Sequence, residues 1–236
     1  MRYMCYFFVL TFNLNSKCFS QETKSLNVSF GISNPIGAIA SKTPTNSSSG
    51  YANLGYALEI SNYNNLERKY GIIGSTYLQF HPTDHQFMLD ELSNRTNGAG
   101  NVREGGWRTL GMLGGVNRII PIAKKLQMEP GILLGFSVVR SPSLRASNLD
   151  GPPEYPQLII QETSVSGYYA FLFVIRTGVR YTLGNKLSLL SNFDFFSANP
   201  EFRDRETTFN FFWSQRTTFR QRIYTLNFSL GIGYSF

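Results

Sequence analysis

Few side chains in this sequence are equipped for acid–base or metal chemistry. Among 236 residues there are two histidines, His81 and His85, both within His81-Pro82-Thr83-Asp84-His85. Imidazole and carboxylate are ordinary zinc ligands, so His81, Asp84 and His85 form the one candidate metal constellation. Pro82 biases His81 toward extended backbone, which removes the helical i, i+4 spacing such a site could use. The sequence favours incidental loop polarity here, and no metal or other cofactor is expected. No His-x-Ser pair falls on a segment with strand periodicity, and neither histidine is expected in mid-strand. No catalytic residue is therefore assigned, and an enzyme is not expected.

Charge chemistry is better represented. Arg176, Arg180, Asp194, Glu59 and Glu129 each interrupt an otherwise apolar or small-residue run. Farther on, Arg203, Arg205, Arg216, Arg220 and Arg222 face only Glu201, Asp204 and Glu206. A guanidinium fork matches phosphate oxygens in bidentate fashion, so this segment could bind phosphate groups. Solvated surface charge is the alternative. The chain carries a net charge of +7, but its arginines lie among aromatic residues and behind an export-type leader, which argues against nucleic acid as partner.

The elements that position these charges are strands. From Tyr224 to Phe236 every even residue is aromatic or aliphatic, and the odd ones are Thr225, Asn227, Ser229, Gly231, Gly233 and Ser235. Period-2 alternation marks a strand with one apolar and one polar face. A glycine-led pattern at Gly55, Gly115, Gly178 and Gly231 recurs at intervals of 60, 63 and 53 residues, each suiting two strands, a turn and a long loop. Up-strands are expected at 26–33, 70–80, 126–139 and 187–196, and down-strands at 51–61, 107–118, 168–183 and 223–236. Short links fall at 62–69, 119–125 and 184–186. Long ones fall at 34–50, 81–106, 140–161 and 197–222. No stretch past the N-terminus is long and apolar enough for a membrane helix, and mean hydropathy is −0.16. Strands that alternate lipid-facing and lumen-facing residues pass below such a test. The expected fold is an all-β, up-and-down antiparallel transmembrane β-barrel of about eight strands, with short periplasmic turns and long extracellular loops. Aromatic girdles are expected at the turn rim (Tyr70, Tyr181, Tyr234, Phe236) and the loop rim (Phe80, Trp107, Tyr168, Phe195).

Residues 1–20 read as a signal peptide: Arg2, an apolar run Met4 to Phe12, then Cys18-Phe19-Ser20 before Gln21. An N-terminal core strand, or a lipoprotein signal acylated at Cys18, is the alternative. Cleavage leaves 21–236 as one barrel domain, with 20 basic against 15 acidic residues and neither of the two cysteines. A thiol-free chain suits an oxidising periplasm.

The run Gly178-Val179-Arg180-Tyr181-Thr182-Leu183 before Gly184-Asn185-Lys186, with the closing L-N-F-S-L-G-I-G-Y-S-F, resembles the Bacteroidetes-type outer-membrane barrels, the broad group of PorT-like and small OmpA-like barrels. That resemblance implies a cell outer membrane location; roles within the group vary widely. Tyr234 and Phe236 are then the barrel-closing signal read by the barrel-assembly machinery. Arg216, Arg220 and Arg222 become candidate lipopolysaccharide contacts. A secretion or surface protein is the expected macromolecular partner. Strand parity turns Arg176, Arg180, Asp194, Glu59 and Glu129 inward. If Leu183 pairs with Leu187 across the turn, Arg176 stands opposite Asp194. These residues are expected to plug the lumen and fix the barrel's shape; a narrow gated pore or proton path is the alternative. A structural, surface-binding or secretion-associated role comes first, a small-solute channel second, and a lipid-modifying enzyme third.

Overall fold

Alternating apolar and small or polar side chains give each segment of about a dozen residues two unlike faces, and such strands are stable only where both faces find a suitable medium. The computed structural model describes residues 24–43, 49–66, 69–87, 89–90, 101–147, 159–162, 169–209 and 213–236. Within them eight long strands form the wall: β1 (Lys24–Ile36), β2 (Gly55–Leu66), β3 (Tyr70–Pro82), β4 (Gly106–Arg118), β5 (Leu126–Arg140), β6 (Ala170–Thr182), β7 (Leu187–Ala198) and β8 (Ile223–Ser235). Each pairs antiparallel with its sequence neighbours, and β8 pairs with β1 from Ser25↔Ser235 to Ile36↔Tyr224. The result is a closed, antiparallel, up-and-down barrel of eight strands. The expected signal peptide, Cys5, Cys18 and Tyr168 lie outside the described residues.

The apolar face points outward. Phe30, Val116, Phe136, Phe171, Phe193, Leu230 and Ile232 are exposed large hydrophobics, whereas the inward set includes Ser29, Ser33, Glu59, Asn117, Asn192, Asp194 and Asn227, all buried. A water-soluble barrel would invert this arrangement. An exposed apolar belt of this extent is the surface of a protein solvated by lipid.

Several boundaries differ from expectation. Tyr51 has a left-handed backbone, φ 52°, so β2 begins only at Gly55 and runs on to Leu66, shortening the following link. The glycine pattern is not a structural repeat: Gly55 opens β2 at the loop rim, while Gly115, Gly178 and Gly231 lie nearer the turn rim of β4, β6 and β8. What the four share is crowding. A Cβ on Gly178 would lie 2.9 Å from Asn192 Oδ1, and one on Gly231 would lie 2.5 Å from the Val28 carbonyl oxygen. A Cβ on Gly55 or Gly115 would come closer still, onto the carbonyl oxygens of Phe80 and Ile132.

The loop side is more ordered than its composition suggested. Strands Trp213–Arg220, Glu201–Phe209, Ile159–Glu162, Leu144–Ser147 and Asn101–Glu104 pair in that order into a second, five-stranded sheet. It is assembled from the second, third and fourth long loops. The first long loop turns back instead, through a 3-10 turn at Gly37–Ala40 that opens on the left-handed Gly37, φ 68°. Its return leg is fixed by Gly50 N–H to Ala38 O (3.0 Å), Ala52 N–H to Ile39 O (2.9 Å) and Asn53 N–H to Pro82 O (2.8 Å).

Candidate functional site

The chemistry-bearing side chains meet in the lumen, where parity sends alternate residues of every strand. The short turn at 184–186 pairs β6 with β7 so that Arg176 stands opposite Asp194. Arg176 Nε and Nη2 donate to Asp194 Oδ1 and Oδ2 at 2.8 and 2.7 Å. Its Nη1 and Nη2 also donate to Glu59 Oε1 and Oε2 on β2, at 2.9 and 2.6 Å, and Nη1 donates to Tyr63 Oη at 3.2 Å. Arg176 is 2% exposed. Every N–H group of its planar fork that faces a carboxylate is used, which is how a buried cation becomes tolerable.

A second arginine sits two inward positions closer to the turn rim, past Gly178. Arg180 Nε donates to Glu129 Oε1 at 2.7 Å and Nη2 to Oε2 at 3.3 Å; Nη1 donates to Ser188 Oγ at 3.1 Å and Asn27 Oδ1 at 3.4 Å. Its guanidinium lies 5.0 Å from the ring centre of Tyr63, whose hydroxyl meets Arg176, so one tyrosine joins the two clusters. The five residues Arg176, Asp194, Arg180, Glu59 and Glu129 therefore form two linked ion-pair groups spanning β2, β5, β6 and β7.

Toward the loop rim the lumen turns from ionic to neutral polar. Asn227 Nδ2 donates to Tyr77 Oη at 2.5 Å, and Gln79 Nε2 donates to Thr225 Oγ1 at 2.8 Å and Asn227 Oδ1 at 3.2 Å. Ser33 Oγ lies 2.5 Å from Asn227 Oδ1 and 3.2 Å from His81 Nε2. His81 is not a loop residue: β3 continues through Pro82, and His81 is buried inside the barrel. Its Nδ1–H donates to the Asn53 carbonyl at 3.1 Å, which leaves Nε2 as an acceptor facing the serine. Asp84 instead pairs with Lys42, and its Oδ1 accepts from Phe87 N–H at 3.1 Å, while His85 is exposed. The three candidate metal ligands are thus dispersed, and no ligand cluster for a metal ion occurs among the described residues. The Ser33–His81 pair has a backbone carbonyl, not a carboxylate, on the far ring nitrogen, and both side chains are shut away from solvent. Its geometry suits a structural hydrogen bond better than nucleophile activation.

The loop end is closed by apolar side chains. Trp107, expected in the outer girdle, instead points inward from β4 and is buried; its Nε1–H donates to the Gly50 carbonyl at 2.8 Å. It meets Phe202 edge-on at 5.7 Å between ring centres, and Phe202 stacks on Phe219 at 4.8 Å. Ile39 from the first loop and Phe202 from the fourth are both 0% exposed. The mouth is thus stoppered by residues from two loops and one strand.

Above the stopper, Glu201 gathers the arginines. Its Oε1 accepts from Arg203 Nε at 2.6 Å and its Oε2 from Arg220 Nε and Nη2 at 3.1 and 3.0 Å. These contacts hold its carboxyl below the ordinary glutamate range, and the Lys42 ammonium does the same for Asp84. Of the three candidate phosphate contacts, Arg220 is thus shared with Glu201. Arg216 is exposed opposite Glu206 in the strand register, and Arg222 is exposed where the chain enters β8. Tyr234 and Phe236 project outward at the turn rim, and Phe236 N–H donates to the Lys24 carbonyl at 3.0 Å.

No protein-family model matches the chain, and no curated protein matches it. Solved structures do. A major outer membrane protein from Thermus thermophilus aligns at 10% identity and a TM-score of 0.50, over 90% of this chain and 99% of that one. The outer membrane protein OprG from Pseudomonas aeruginosa aligns at 8% identity and a TM-score of 0.50, over 91% and 95%. At such identities the likeness speaks to fold alone, and the fold is that of the small outer-membrane β-barrels. With the exposed apolar belt, it makes the chain an integral protein of an outer membrane.

Proposed function

We propose that this barrel works as a membrane-anchored binding protein whose loop-built sheet is the active surface. The observation that carries the reading is the filled lumen: two linked ion-pair groups, a neutral polar layer, then an apolar stopper of Ile39, Trp107 and Phe202. Such an interior gives the barrel its shape and leaves the second sheet as the part that differs from a plain membrane anchor. The partner is a surface or secretion-associated protein, in keeping with the resemblance to PorT-like barrels. Lipopolysaccharide phosphates engage Arg216 and Arg222, with Arg220 shared with Glu201. The barrel-assembly machinery reads the closing strand at Tyr234 and Phe236 during insertion. The filled lumen speaks against a solute channel; a lipid-modifying activity is the remaining alternative.

Two measurements test it. Purified native barrel in planar bilayers should show no sustained ion conductance; reproducible single-channel steps would instead support the narrow porin. Titration of lipopolysaccharide into the barrel in neutral nanodiscs should give binding that weakens several-fold in an Arg216→Gln, Arg222→Gln variant. Unchanged affinity would remove the lipopolysaccharide contact.

A further inference from the structure

The turn-side rim carries an unexplained charge pattern. Lys24, Lys69, Arg118, Lys124, Lys125 and Lys186 all lie at this end of the barrel. Among the described residues no carboxylate side chain accompanies Lys69, Arg118, Lys124, Lys125 or Lys186, because Glu59, Glu129 and Asp194 face the lumen and the remaining described carboxylates belong to loop-side segments. Glu22, Glu67 and Arg68, which adjoin these positions in sequence, lower the sum by only one.

The rim holds these cations at one level by backbone bonds. Phe236 N–H donates to Lys24 O (3.0 Å), Ile119 N–H to Lys69 O (2.7 Å), Thr182 N–H to Lys125 O (2.8 Å) and Ser235 N–H to Lys186 O (2.8 Å). Each bond closes a different strand junction: β8 to β1, β3 to β4, β5 to β6 and β7 to β8. Four lysines are therefore distributed around the circumference by the last rungs of the wall itself. Lys124 and Arg118 are exposed beside them. Immediately inside this ring the exposed rings of Tyr70, Tyr181, Tyr234 and Phe236 mark the membrane–water interface, and Lys186 Nζ lies 5.8 Å from the Tyr234 ring centre.

We infer that this collar binds anionic phospholipid headgroups of the leaflet in which the turns lie. The loop side is dominated by arginine, the turn side by lysine. Lysine is a compact point charge on a flexible stem, suited to diffuse attraction toward a charged surface, where arginine favours fixed bidentate geometry. The aromatic ring places the ammonium groups at headgroup depth, within the distance over which surface charge is felt. One such cation is worth about fivefold in association with an anionic membrane surface. The inference rests on membrane insertion and is independent of what the loops bind.

The test uses the full folded barrel in bilayers of equal phosphatidylglycerol and phosphatidylcholine with matched acyl chains. Spin-labelled lipids report the relative association of each headgroup with the protein surface. The native barrel should prefer phosphatidylglycerol several-fold at low salt and lose most of that preference at 1 M salt, where the screening length is about 3 Å. The combination Lys24→Gln, Lys69→Gln, Lys124→Gln, Lys125→Gln and Lys186→Gln should bring the ratio close to one. The loop-side control Arg108→Gln, Arg140→Gln should keep it. Because the rim bonds use carbonyls, glutamine leaves them in place; should the fivefold variant not fold, Lys124→Gln, Lys125→Gln on the exposed hairpin should still lower the ratio. No headgroup preference in the native barrel, or a preference lost only in the loop-side control, overturns the inference.

Discussion

Arg176 is held by two carboxylates at once, so the count around it, one cation against two anions, decides what each substitution does. Neutralising Asp194 or Glu59 leaves a balanced pair with most of its hydrogen bonds. Removing the arginine leaves two buried carboxylates facing each other. Arg176→Gln should therefore destabilise by about 3–5 kcal/mol, and Asp194→Asn or Glu59→Gln by distinctly less. Urea unfolding of the barrel in lipid vesicles measures the order. Equal losses for all three would mean that the carboxylates do not share the guanidinium as described. The inward placement of these residues was legible because side-chain period 2 admits no ambiguity of face once a strand is recognised. Trp107 and His81 were not. Along β4 the outward set, with Arg108 and Gly114, is hardly more apolar than the inward set, with Trp107 and Leu113, so the pattern does not announce its faces. For His81 the strand runs two residues past Phe80, because Pro82 closes it where a missing N–H matters least.

At the scale of the element, β8 combines both demands of the wall. Phe228 is 45% exposed and stands beside Phe193 on β7 and Ile32 on β1, while Ser229 is 8% exposed and faces inward. Arginine at Phe228 should cost about 2–4 kcal/mol at mid-bilayer depth. Arginine at Ser229 avoids lipid but meets a filled lumen. The two variants should therefore differ in kind. Phe228→Arg should be rescued in thin or detergent-rich membranes, and Ser229→Arg should not, as read by heat-modifiable gel mobility. Identical behaviour in both settings would reject the lipid-facing assignment. Strands such as this one were readable from sequence since each carries its whole pattern locally. The loop-side sheet was not, because its segments are four to nine residues long and find partners in other loops. Their pairing is a property of the closed barrel that brings the loop stems together.

For the whole molecule, barrel and loop surface answer differently to acid. Asp84 and Glu201 both have carboxyl groups held below their ordinary range by cationic neighbours. A depressed folded-state value means that the stabilisation is present above the unfolded value and fades as pH falls through the folded one. Below the ordinary carboxylate range the Lys42–Asp84 and Glu201–Arg203–Arg220 ties should weaken. Both sites are near the surface, so their loss should loosen the loops and leave the wall intact. Hydrogen exchange should then rise on acidification in segments 41–43, 84–87 and 201–203, with β1 and β8 still protected; simultaneous loss everywhere would show that the two parts are not separable.

The seam between β1 and β8 has a consequence for how the protein comes into being. It joins Ser25 to Ser235 and Ile36 to Tyr224, contacts separated by nearly the full length of the chain. Loop-closure entropy makes such contacts late and slow. Until β8 is in place, β1 has an unpaired edge, open to any other strand it meets. Without β8, both β1 and β7 would present such an edge. A wall that closes only through this seam therefore depends on the two strands farthest apart in the described sequence, and its last pairing is the one with the largest loop to close.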